Sequence, residues 1–169
     1  LRILGLALLE KALRHTPDFI VIGCHTLCSW CFSDLEAESP VPLLSVNDAL
    51  LQEIGRLPTH SSLFLMGTTN TIESSWFQTA LRQFRSDILV TTQACPELAS
   101  AIEEQDIQRQ NTLLEQYLPT TPHDAIALAC THYSLVRERL EAQLSSVVLD
   151  AHSTIQQETA LFLRTHKIL

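Results

Sequence analysis

Two stretches decide the fold: "PDFIVIGCHT", residues 17–26, and "HDAIALACTHY", residues 123–133. Each runs from an acidic residue (Asp18, Asp124) through an unbroken apolar segment to a small residue, a cysteine and a threonine. A short apolar run with no polar alternation reads as a strand buried on both faces, as in a parallel sheet. In open sheets of that kind, ligands bind beyond the carboxyl ends of the strands. Cys24 and Cys130, which end the two runs, therefore stand where chemistry is expected.

The surrounding chain repeats the alternation. "LRILGLALLEKALRH" has helical spacing and is stopped by Thr16-Pro17. A helix follows Cys24 as far as "AESPVP", "VPLLSV" reads as a short strand, and Ser45 or Asn47 caps the helix "DALLQEIGRL". "SLFLMG" is strand, "TTNTIESSWFQTALRQF" turn plus helix, and "DILVTTQ" strand. Two helical segments divided near Asp106 fill residues 96–117. Next come the strand "DAIALAC", the helix "YSLVRERLEAQL", the strand "SVVLD" and a closing helix capped by Ser153. Strand alternating with helix implies an α/β protein with parallel sheet. The echo of the two cysteine segments suggests two pseudo-related α/β domains facing a cleft. Residues 1–44 and 146–169 are expected to form the first domain, and residues 45–145 a second, inserted one.

The 169 residues are 46% hydrophobic with only four glycines, which fits a packed core rather than disorder. A net charge of −8 argues against a basic nucleic-acid footprint. No secretory signal is evident, and no apolar run approaches the roughly 20 residues of a membrane span. The odd set of cysteines at 24, 28, 31, 95 and 130 is read as free thiols in a reducing cytoplasm.

"CHTLCSWC", residues 24–31, invites another reading. Its C-x3-C-x2-C spacing matches a three-thiolate cradle for a four-iron cluster. No glycine-rich segment accompanies it to hold a cosubstrate. Zinc held with His25 is disfavoured because adjacent residues diverge on a helix. The plainer reading places positions 24, 28 and 31 on one helical face, with Cys28 and Cys31 packing as small hydrophobes.

Five segments in order resemble the glutamate racemases of the cofactor-independent aspartate/glutamate racemase superfamily. "VIGCHTLCS" resembles the family's strand-C-N-T-A-S, "MGTTNTIESSWFQ" its A-T-x-G-T loop, and "ACPELASAIEE" its A-C-P segment. "IALACTHYSLV" resembles G-C-T-H-Y-P-L, and "VVLDAHSTI" the strand-D-S/P-A close. The resemblance implies interconversion of L- and D-glutamate for peptidoglycan, without pyridoxal phosphate or metal. It implies Cys24 and Cys130 as an acid/base pair of thiols, His132 supporting the second thiol, and Glu103 assisting protonation. It also implies a substrate cradle of His25, Thr26, Thr68, Thr71 and Thr131, while Cys95 is read as structural.

Departures are visible as well. His25 stands at the family's asparagine, Leu27 at an alanine, Asn70 at a loop glycine and Ser134 at a proline. The family's aspartate–serine–glycine and proline–tyrosine–glycine segments have no counterpart. An absent N-terminal part, an incomplete first sheet and a weak or inactive piece are therefore expected. Aspartate or broader amino-acid racemisation is the nearest alternative. An iron–sulfur enzyme or an inactive remnant are alternatives of another class, and homodimerisation is left open.

Overall fold

The computed structural model describes residues 1–166, so residues 167–169 of the expected first domain lie outside the described residues. The chain begins with helix α1 (Arg2–Leu13), strand β1 (Ile20–Ile22) and helix α2 (His25–Glu38). Strand β2 (Leu43–Ser45) pairs parallel with β1 in a two-stranded sheet. Helix α3 (Val46–Gly55) starts at Ser45, whose hydroxyl accepts from the Asn47 and Asp48 amides at 3.2 and 3.3 Å. Ser45 rather than Asn47 is therefore the cap, and it supplies two of the amide partners a helix start lacks.

Strand β3 (Ser62–Gly67) leads to the short helix α4 (Thr69–Glu73) and helix α5 (Trp76–Phe84). One helix was expected there. Ser75, in the left-handed region at φ 55°, breaks the segment in two. Strand β4 (Leu89–Ala94), helices α6 (Leu98–Glu103) and α7 (Ile107–Tyr117), and strand β5 (Ala125–Ala129) follow. A 3₁₀ turn (Thr131–Val136) precedes α8 (Arg137–Gln143), where a continuous helix was expected. Strand β6 (Val147–Leu149) and helix α9 (His152–Thr165) close the described chain. Ser153 is not the cap of α9. Asp150 accepts from the His152 amide at 3.0 Å and starts the helix earlier, where a carboxylate suits the positive helix end.

The larger sheet has the order β4-β3-β5-β6, and its paired strands all run parallel. The fold is thus α/β with parallel sheets. Strand β6 was grouped by sequence with the first domain, yet it is hydrogen-bonded to β5 at the edge of this sheet. Helix α9 behind it packs on α3 and β2, so the chain crosses between the two sheets at Asp150.

The period-2 alternation of strands sorts the core. Leu63, Leu65, Ala125, Ala127 and Ala129 face one side with α3 and α5, while Phe64, Met66, Ile126 and Leu128 face the other with α6, α7 and α8. The alanine row keeps one face of β5 flat, which lets α3 lie close with Ala49 and Leu50 fully buried. Both central strands are covered on both sides, which explains their unbroken apolar runs.

Candidate active site

Cys24 caps α2 in extended backbone, at φ −136° and ψ 109°, and is exposed. Cys130 has the same place after β5, at φ −155° and ψ 127°, and is only 7% exposed. The two strand ends are joined directly, since the Thr131 hydroxyl donates to the Gly23 carbonyl at 3.3 Å. The two thiols are also near enough for charge on Cys24 to push the Cys130 thiol up, adding to the larger effect of burial. Backbone amides of His132 and Tyr133 oppose this by favouring the thiolate.

His132 is half-buried, with Nδ1 4.0 Å from Cys130 Sγ. Behind it, the Tyr133 hydroxyl donates to the Cys95 carbonyl at 3.0 Å and locks the turn against the end of β4. The Cys95 thiol is 1% exposed, and burial pushes it up to about 12, so it stays a protonated core side chain.

Thr26, Thr68 and Thr71 come together as a triangle of hydroxyls, each pair 2.9 Å apart. Thr68 also caps α4, accepting from the Thr71 amide at 3.2 Å. Trp30 Nε1 donates to the Asn70 carbonyl at 2.7 Å and ties the same loop to α2. The triangle thus joins the turn after Cys24 to the loop after β3.

Two expected site residues are placed differently. His25 was expected to contact substrate, but it is 3% exposed, with Nδ1 2.8 Å from Asn47 Oδ1 and its ring 6.0 Å from that of Phe77. The cause is helical periodicity, since His25, Cys28 and Leu35 share the core-facing side of α2. Glu103 is exposed at the end of α6, which packs on the turn after Cys130. It forms no hydrogen bond to Cys130, Thr131 or His132 among the described residues.

Asn47 and Ser29 were not recognised as part of this region. The signal was present in the i, i+3, i+7 spacing of Asn47, Leu50 and Ile54, which puts a polar side chain on the buried face of α3.

Cys28 and Cys31 do not form a cradle with Cys24. They are 2% and 1% exposed, and their thiols donate to the Ile22 and Leu27 carbonyls at 3.5 and 3.4 Å. Burial holds Cys28 up at about 11, far from a metal-binding thiolate. Among the described residues, no three His, Cys, Asp or Glu side chains converge as a metal site. None of the described helices is long and apolar enough to cross a membrane.

Two cysteines thus end parallel strands on an α/β scaffold, beside a cluster of hydroxyls and a histidine. Residues 4–158 match the Asp/Glu/Hydantoin racemase family, and the chain belongs to it. It is 24% identical over 170 residues to the glutamate racemase of Oceanobacillus iheyensis, covering 96% of this chain and 62% of that protein. The glutamate racemase of Thermus thermophilus, solved with β-chloro-D-alanine, superposes with a TM-score of 0.83 at 25% identity. That match covers 99% of this chain and 64% of the other. The Francisella tularensis glutamate racemase, solved with D-glutamate, gives 0.85 at 20% identity, over 95% and 62% of the two chains. This chain therefore spans somewhat less than two thirds of these relatives.

Proposed function

We propose that the protein interconverts L- and D-glutamate by proton transfer between two thiols, without a cofactor. The observation that carries this reading is the pairing of Cys24 and Cys130 at joined strand ends, with only Cys24 open to solvent. The resting Cys130 is a thiol, because burial disfavours its charged form. It therefore enters one direction of turnover as the acid. The Cys24 thiolate takes the Cα proton from one face, and the Cys130 thiol gives its proton to the other. The enzyme then holds a Cys24 thiol and a Cys130 thiolate, and a solvent proton exchange restores the start. The opposite direction begins from this second form, and the 4.0 Å separation of His132 Nδ1 from Cys130 Sγ supports His132 as the group that exchanges the Cys130 proton.

The Thr26–Thr68–Thr71 hydroxyls and the amides around Thr131 supply donors for substrate carboxylates. Glu103, on the helix beside the Cys130 turn, is the carboxylate proposed to replenish the proton. Five free cysteines fit a cytoplasmic protein, and D-glutamate for peptidoglycan fits the family.

The test is deuterium wash-in at Cα of glutamate and of aspartate, using the full-length protein and the Cys24→Ser and Cys130→Ser variants. Loss of exchange in both variants is expected, with glutamate preferred. Exchange that continues unchanged in both would falsify the two-thiol mechanism, and a preference for aspartate would reassign the substrate.

A further inference from the structure

A buried polar contact behind Cys24 has no part in that scheme. Asn47 is 0% exposed in the first turn of α3. Its Nδ2 donates to Ser29 Oγ at 2.9 Å, which leaves Oδ1 to accept from His25 Nδ1 at 2.8 Å. The imidazole proton is thereby assigned to Nδ1. Burial lowers the His25 pKa to about 4, so the ring is neutral at neutral pH. Phe77 and Asp150 also face this ring, and the charge of Asp150 is paired with Arg137 at 3.3 Å.

His25 and Ser29 lie one helical turn apart on α2, whose first hydrogen bond runs from the Cys28 amide to the Cys24 carbonyl at 2.9 Å. One amide side chain therefore grips two successive rungs of the turn that Cys24 caps. Thr26, a corner of the hydroxyl triangle, rides on the same turn.

We infer that Asn47 is a positioning residue for Cys24: by holding His25 and Ser29 together, it fixes the first turn of α2 and so the aim of the Cys24 thiol and the Thr26 hydroxyl. The inference rests on the two-thiol reading for its effect on turnover, but not for its effect on the turn. An asparagine 22 residues from His25 acts because the fold brings α3 across the start of α2. His25 then serves as a neutral strut and not as a ligand for substrate.

The experiment compares full-length wild type with Asn47→Ala, Asn47→Asp and Gln110→Ala. Gln110 is a control of the same kind, being 3% exposed and bonded to the Ala101 carbonyl and to Arg139 on the far side of the sheet. Amide hydrogen exchange at Cys28 and Ser29 should be about tenfold or more faster in Asn47→Ala and unchanged in Gln110→Ala. Cα exchange should lose about tenfold or more in kcat with KM within about threefold, because a small misplacement of a reacting group is costly. Asn47→Asp keeps the acceptor for His25 and can accept from Ser29, so it should restore protection and most of kcat. Its carboxylate should also move the His25 ring titration upward.

Asn47→Ala leaving amide exchange and kcat within twofold of wild type overturns the inference and leaves the racemase reading intact. Gln110→Ala reproducing the kcat loss overturns it too. A wild type that exchanges no Cα proton, while Asn47→Ala still loosens Cys28 and Ser29, sinks the racemase reading and supports the clamp.

Discussion

In the proposed two-thiol scheme, the Cys130 sulfur must hold a proton firmly and yet release it within a turnover. Burial pushes this thiol up, two backbone amides favour its thiolate, and His132 Nδ1 lies 4.0 Å from its sulfur. His132→Asn should therefore lower kcat by about 100-fold, the size of a general acid/base contribution, with little change in KM. Enantiomers have equal free energy, so kcat/KM must fall equally in both directions. Polarimetric rates started from L- and from D-glutamate check this, and a loss confined to KM would move His132 to substrate binding. The two cysteines were legible in the sequence because each ends an apolar run, a purely local signal. His25 is expected at the substrate because its neighbour in sequence is Cys24, while its partner in space is Asn47. Only the core-facing periodicity of α2 and α3 could have linked them.

Elements carry the site through their ends. Thr68 caps α4 and is also one corner of the hydroxyl triangle, so the helix cap and the proposed substrate cradle share one oxygen. Thr68→Ala should cost about 1 kcal/mol from the lost cap. It should also raise KM for glutamate by about tenfold, the weight of one hydrogen bond to a charged group. Urea midpoints and initial rates measure the two effects, and Thr68→Ser should restore both. A normal KM in Thr68→Ala would remove the triangle from the substrate cradle. Central strands and long helices were legible because β3 and β5 are buried on both faces and the helices obey a 3.6-residue period. Ends were less legible, because caps compete. Asp150 displaced Ser153 at α9, and the left-handed Ser75 split α4 from α5. Such outcomes depend on which acceptor tertiary structure brings to the amides.

Across the whole molecule, the same buried contact sets a pH dependence of stability. His25 is held neutral by burial, with its pKa lowered from 6.5 to about 4, against the weaker upward pull of Asn47 and Asp150. The unfolded chain binds this proton as pH falls through about 6.5, whereas the folded chain resists until about 4. The contribution is therefore fully present above pH 6.5, and it declines as the pH drops from 6.5 toward 4. It amounts to something on the order of 3 kcal/mol, about 1.4 kcal/mol for each pKa unit of difference. Carboxylates titrate across the lower part of the same range, so the wild-type slope alone does not isolate His25. The difference between wild type and His25→Asn does. An asparagine cannot take up the proton, so the variant should be less stable than wild type at pH 7.5 through altered packing, yet lose less on acidification to pH 5. Urea unfolding at half-unit pH intervals gives both curves, and their separation should narrow steadily below pH 6.5. Two curves that stay parallel through that window would show that the titrating group lies elsewhere.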